Sequence, residues 1–168
     1  MENLYKELRS FFANDIDVND LFDSEAIIWI DWREYDEDVV NYFNDMMDEP
    51  IDIQTVSNGK PYGDDIVLKN GNKELQIPYG DEQDRDVTIK YFNDFVKPDY
   101  EVRWFAESLG NDTLGFTVLS GEEWAKLDDE FGADTVRYYF EPINLESNMF
   151  NLDMDEVSAL LELRENNR

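Results

Sequence analysis

The chain is expected to fold as an α+β domain with a mixed, largely antiparallel sheet built from hairpins and packed by about five helices. Three observations carry that expectation. The spacing of apolar residues switches repeatedly between helical and strand periods. Strand-like runs come in pairs joined by tight-turn residues, at Asn70-Gly71 and at Gly110-Asn111-Asp112. Helical stretches fall between those pairs, whereas a doubly wound parallel sheet would alternate them one for one with strands. At 168 residues the order fits one domain spanning 1–168.

Each element has its own reason. Leu4, Leu8, Phe11 and Phe12 share a helical face near the start, and the apolar run from Ala26 to Trp32 predicts a short strand. Asp36, Glu37 and Asp38 then open a helix, where negative charge suits the N-terminal end of the dipole. Val39, Val40, Phe43, Met46 and Met47 form its apolar stripe, and Pro50 lies just beyond it. A strand is expected over Ile51 to Ser57. A hairpin follows, with Ile66 and Leu68 alternating before Asn70-Gly71 and Leu75, Ile77 and Tyr79 after it. Tyr91, Phe92, Phe95 and Val96 mark a helix that Pro98 stops.

In the second half, Tyr100 to Ala106 alternates as a strand, with Tyr100, Val102 and Trp104 on one face and Glu101, Arg103 and Phe105 on the other. The Gly-Asn-Asp turn leads into a strand from Thr113 to Leu119. Ser120 and Glu123 then form a capping-box pattern ahead of Trp124, Leu127 and Phe131, and Gly132 stands at the helix end. Thr135 to Phe140 predicts a last strand and Asp153 to Arg164 a closing helix, with a loop or docking segment over Glu141 to Asn151.

Composition excludes more chemistry than it suggests. The chain has no histidine and no cysteine, so it lacks a Ser-His-Asp or Cys-His nucleophile system, a typical zinc site, a disulfide and an imidazole pH switch. No phosphate-cradling glycine motif occurs. The start shows no signal-peptide pattern, and no apolar run approaches membrane-spanning length. A cytoplasmic protein without cofactors or membrane contact is expected. With 11 Phe, 9 Tyr and 4 Trp the chain has core material that disordered acidic chains lack.

Charge is the outlier. Asp and Glu number 41 against 14 Lys and Arg, a net charge of −27. Such a field repels nucleic acid and steers cationic partners in. It is concentrated. From Asn14 to Val56 there are fourteen acids and one base, Arg33. Asp81, Glu82, Asp84 and Asp86 would extend the acidic surface or lie apart from it. So many acids make any carboxylate pair uninformative about catalysis. The stretch Asp15-Ile-Asp17-Val-Asn19-Asp20 opens like a calcium-binding EF-hand loop, but Asp20 replaces the glycine of position 6 and Ala26 the glutamate of position 12. A solvated connector is the plainer reading.

Aromatics are interleaved with these acids: Trp29, Trp32, Tyr35, Tyr42 and Phe43. An odd separation sends Trp29 and Trp32 to opposite sides of a strand. Either both are buried on a two-faced sheet, or one is exposed among carboxylates, as a binding hot spot would be. The candidate partner-binding residues are Asp15, Asp17, Asp20, Asp23, Trp32, Glu34, Tyr35, Asp36, Asp38, Asp45 and Asp48, forming one acidic face if the segment folds compactly.

Arg103, Ser108, Gly110, Asp112, Thr113 and Trp124 form a further pattern: an arginine in a strand, S-x-G-x-D-T, a strand, then a W-x-x-L helix. The segment resembles one that recurs in an uncharacterised bacterial protein family and covers about a third of this chain. The resemblance implies a shared fold and a bacterial origin, with no catalytic role. Turn capping by Asp112 and core filling by Trp124 would account for those residues structurally.

Three readings follow. A small, acidic, cysteine-free α+β domain is similar in character to bacterial toxin-immunity proteins. That implies a non-catalytic, monomeric inhibitor covering the active or nucleic-acid-binding surface of a basic protein, whether toxin, nuclease or other effector. The second is a DNA-mimic anti-restriction or anti-defence protein, which should array its charge along an elongated body. The third is a structural domain without a specific site.

Overall fold

A computed structural model describes residues 2–60, 63–80 and 83–166. In chain order the elements are α1 (Glu2–Phe12), α2 (Val18–Phe22), β1 (Ile28–Asp31), α3 (Asp36–Met46), β2 (Asp52–Lys60), β3 (Gly63–Asn70), β4 (Lys73–Gln76) and α4 (Arg85–Val96). After these come β5 (Tyr100–Phe105), a 3-10 turn (Ala106–Ser108), β6 (Thr113–Ser120), α5 (Gly121–Phe131), α6 (Ala133–Tyr139), β7 (Phe140–Pro142) and α7 (Met154–Asn166). The fold is α+β, with every strand pairing antiparallel.

The strands divide between two sheets. One has four strands in the order β1-β6-β5-β7, and the other is a β2-β3-β4 meander. In the meander Asn70 pairs with Lys73, so the turn residues are Gly71 and Asn72. Gly71 takes a positive φ of 62° as the pattern expects, while the loop falls one position later than Asn70-Gly71.

The four-stranded sheet buries both faces, and this decides where everything else lies. Ile30, Val102, Trp104, Leu114, Phe116 and Val118 point to one core. Ile27, Phe105 and Leu119 point to the other, as alternation requires. On the first face lie α3, α4 and the three-stranded sheet, through Val40, Phe43, Phe92, Ile66 and Leu68. On the second lie α1, α2, α5 and α6, through Leu8, Leu21, Trp124 and Val136.

Buried polar side chains tie these layers together, and among the described residues none of their buried atoms lacks a hydrogen-bond partner. Asn93 of α4 accepts from Val102 N and donates to Ile143 O, at 2.8 and 2.9 Å. The Asp86 carboxylate accepts three backbone N–H groups, from Met149, Phe150 and Asn151. That pins the 141–153 segment to α4 and carries Met149 into the core, so this connection docks. Asp84 caps α4 by accepting from Asp86 N. Both acids are thus committed to holding this segment and α4 in place; Asp81 and Glu82 lie outside the described residues.

Two expectations change. Thr135 to Phe140, read as a strand, is helix α6 followed by the start of β7. Val136, Tyr138 and Phe140 alternate, yet Val136 and Phe140 are also four apart, and both enter the same core. A run this short fits either period. Gly132, at φ 94°, lets α5 end and α6 begin without a spacer. The Asp15–Asp23 connector contains a short helix, α2, whose start is described below.

Candidate partner-binding surface

The acid-rich segment does not form one face. Strand β1 divides it, and its halves pack on opposite sides of the four-stranded sheet. In the first half Asp17 accepts from Asp20 N and Asp20 accepts from Asp17 N, a reciprocal capping box that starts α2. The EF-hand-like spacing is therefore a helix start. Asp15, Asp17, Asp20 and Asp23 are exposed. The aromatics beside them turn inward: Phe22 stacks on Trp29 at 5.4 Å, and both pack toward Phe105.

The second half leaves its aromatics outside. Trp32, Tyr35 and Tyr42 are 53%, 70% and 38% exposed. Of the two tryptophans, Trp29 is the packed one and Trp32 the exposed one, with the Arg33 guanidinium 5.6 Å from its ring centre. Asp38, Tyr42 and Asp45 follow one another along one side of α3 at helical spacing, and Asp48 is exposed just past its end. The Tyr42 hydroxyl donates to Glu34 at 3.3 Å. Its pKa is raised by desolvation and then by the nearby charges of Glu34 and Asp38. Arg33, the segment's one cation, is held by Asp31 through Nε at 3.0 Å and a second guanidinium nitrogen at 3.1 Å. Hydrogen bonding to Arg33 holds the Asp31 carboxyl below its ordinary range.

Asp36 is a correction: it is fully buried and offers no surface to a partner. The Thr88 hydroxyl lies 2.6 Å from its Oδ1 and an Arg85 guanidinium nitrogen 3.3 Å from its Oδ2. Tyr79 hydrogen-bonds in turn to Thr88. Burial pushes the Asp36 carboxyl up, against the lowering effects of Thr88 and Arg85. The same Arg85 nitrogen reaches Glu34 O at 3.3 Å. The buried Asp36 and the half-buried Arg85 thus brace the exposed Trp32–Tyr35 turn from beneath, which makes Asp36 a positioning residue.

Of the R-S-G-D-T-W pattern, Arg103, Ser108 and Trp124 are built into the core. Arg103 is buried, paired with Glu101 at 2.7 Å and Asp128 at 3.4 Å, and lies 4.4 Å above the Trp124 ring. Ser108 donates to Phe105 O and accepts from Trp104 Nε1 and Gly115 N. Asp112 is exposed, and Asn111 supplies the turn's side-chain bond, to Ser108 O. Trp124 fills core as expected.

Among the described residues no cluster of three or more acids could hold a metal ion, and no helix is long and apolar enough to cross a membrane. No family model, curated protein or solved structure matches this chain. The surface therefore has to be read from its own chemistry. Exposed rings, ringed by carboxylates and held on a braced turn, suit recognition of a cationic surface.

Proposed function

We propose that this chain is a non-catalytic binding protein, an acidic immunity-type inhibitor that neutralises a basic protein by covering its active or nucleic-acid-binding surface. The contact residues are Trp32, Tyr35 and Tyr42 with Glu34, Asp38 and Asp45. The observation that carries this reading is the braced cluster of three exposed aromatics in a chain of charge −27. Large rings supply anchor area at low entropic cost, while the field steers a basic partner in at rates that fall with salt. Self-repulsion supports action as a monomer.

The test is affinity capture from the source cell, identification of the retained basic protein, and titration of the purified pair. Wild type is expected to bind it, to weaken with added salt, and to restore growth of cells expressing the captured protein. Trp32→Ala with Tyr35→Ala should lower affinity by about thirtyfold or more. Unchanged affinity in that variant, or the absence of any salt-sensitive basic partner, would sink the reading.

A further inference from the structure

A second feature shares Trp32. Between the 110–112 turn and helix α7 runs a groove of about 420 Å3, lined by Trp32, Leu114, Phe150, Met154, Val157 and Leu161, among others. Its volume falls in the range of about 300–1,000 Å3 usual for ligand sites. The groove is lined mostly by apolar side chains, with Asn111 and Ser158 as its neutral polar residues and Asp112 as its one charged residue. Trp32 stands 53% exposed at one wall, with Met154 at 84% and Leu161 at 43% on the other. Gly110 joins the walls: at φ 90° it brings the turn against α7, where an added Cβ would meet Val157 at 3.4 Å and Leu161 at 3.6 Å.

Charge chooses the occupant. Asp153, Asp155 and Glu156 surround Met154 in sequence at the start of α7, and Asp112 lies on the facing turn. Arg33, next to Trp32, pairs with Asp31 at 3.0 Å while staying exposed, and its guanidinium lies 5.6 Å from the Trp32 ring, so the acids outnumber it at this rim. A second copy of the chain or an anionic membrane would bring like charge to this rim. From the proposed function, on which this step rests, we infer that the groove seats a basic amphipathic segment of the protein partner. One apolar side chain of that segment enters beside Trp32, and flanking lysines or arginines face Asp112 and the start of α7.

The probe is a synthetic leucine/lysine helical peptide, with an equally charged peptide carrying serine for leucine as its counterpart. Binding is read by calorimetry and by tryptophan fluorescence. The leucine peptide is expected to bind about tenfold more tightly than the serine peptide. Ser158→Trp, which fills the groove, and Met154→Ser with Leu161→Ser should each remove that difference, with urea midpoints confirming that both variants fold. Asp129→Asn with Asp134→Asn, on helices packed across the sheet, should preserve it. Equal binding of the two peptides, or a preference that survives both groove variants, would overturn the inference. So would self-association in sedimentation velocity that Ser158→Trp abolishes, since the groove would then belong to a second copy. If the captured natural partner is lost on Trp32→Ala with Tyr35→Ala but kept on Met154→Ser with Leu161→Ser, the groove assignment fails and the parent reading stands. Loss on neither overturns both.

Discussion

The two halves of the acid-rich segment have similar composition and different fates. Before β1, the Asp17–Asp20 pair starts a helix, and Phe22 and Trp29 close over the core. After it, Trp32 and Tyr35 stay in solvent on a turn braced by Asp36 and Arg85, and Tyr42 stays in solvent on α3, bonded to Glu34 of that turn. Acid density is common to both halves, so it does not mark a binding surface. The unburied ring does, because leaving large apolar area in water forgoes stabilisation that burial would have provided.

The comparison rests first on the sheet that keeps the halves apart. Phe116 and Phe105 are fully buried on its opposite faces. Truncating either to alanine is expected to cost about 3–5 kcal/mol in urea unfolding. A much smaller loss on one side would show that the two cores are unequal partners. Asp86→Ala should cost about 2–3 kcal/mol by leaving three N–H groups of the 149–151 stretch unpaired, that of Met149 fully buried.

The sharper contrast sets the halves against each other. Trp32→Ala with Tyr35→Ala should lower partner affinity by about 2 kcal/mol or more while shifting the urea midpoint little. Asp17→Ala should do the reverse, removing about 1 kcal/mol of stability through the lost cap and leaving affinity nearly unchanged. If both variants lose affinity alike, the segment acts as one surface after all.

The smallest effect is the pH dependence of Asp36. Its folded pKa is raised, so its contribution to stability is fully present below the unfolded value of 3.8 and is lost as pH rises through the folded value. Asp36→Asn should therefore gain stability relative to wild type as pH rises above about 4, read from paired urea titrations. A difference that is flat with pH would mean that the carboxylate is fully compensated in place.

Legibility in the sequence followed how local each signal was. Hairpins, the Ser120–Glu123 box, the Gly132 terminus and the two-faced strand Tyr100–Phe105 depend on neighbours a few residues away, and all were readable. Helix α6 was not, because Val136 and Phe140 satisfy two periods at once. Nor was the burial of Asp36. Among the acids of its helix start it looks like any other, and its partners Arg85 and Thr88 lie some fifty residues on. The groove was missed for a related reason. Met154, Val157, Leu160, Leu161 and Leu163 spread around α7 instead of forming one stripe, so a closing helix over Asp153 to Arg164 was legible and its exposed face was not. That spread was itself the available clue, since a helix apolar on several sides leaves something uncovered.

Helix α7 has no fully buried residue. Near its far end Arg164 donates to Tyr138 O at 2.6 Å, pairs with Glu107 at 2.7 Å and lies 4.1 Å over the Tyr138 ring. Elements secured this sparsely exchange their amide hydrogens through local opening, at a fraction of the free energy of global unfolding. The α7 wall of the groove is thus held near both ends, by the Asp86-bound stretch that precedes it and by Arg164, with no fully buried residue between them. Its methionine can repack around side chains of different shape, so one acidic protein could accommodate partners whose anchor residues differ.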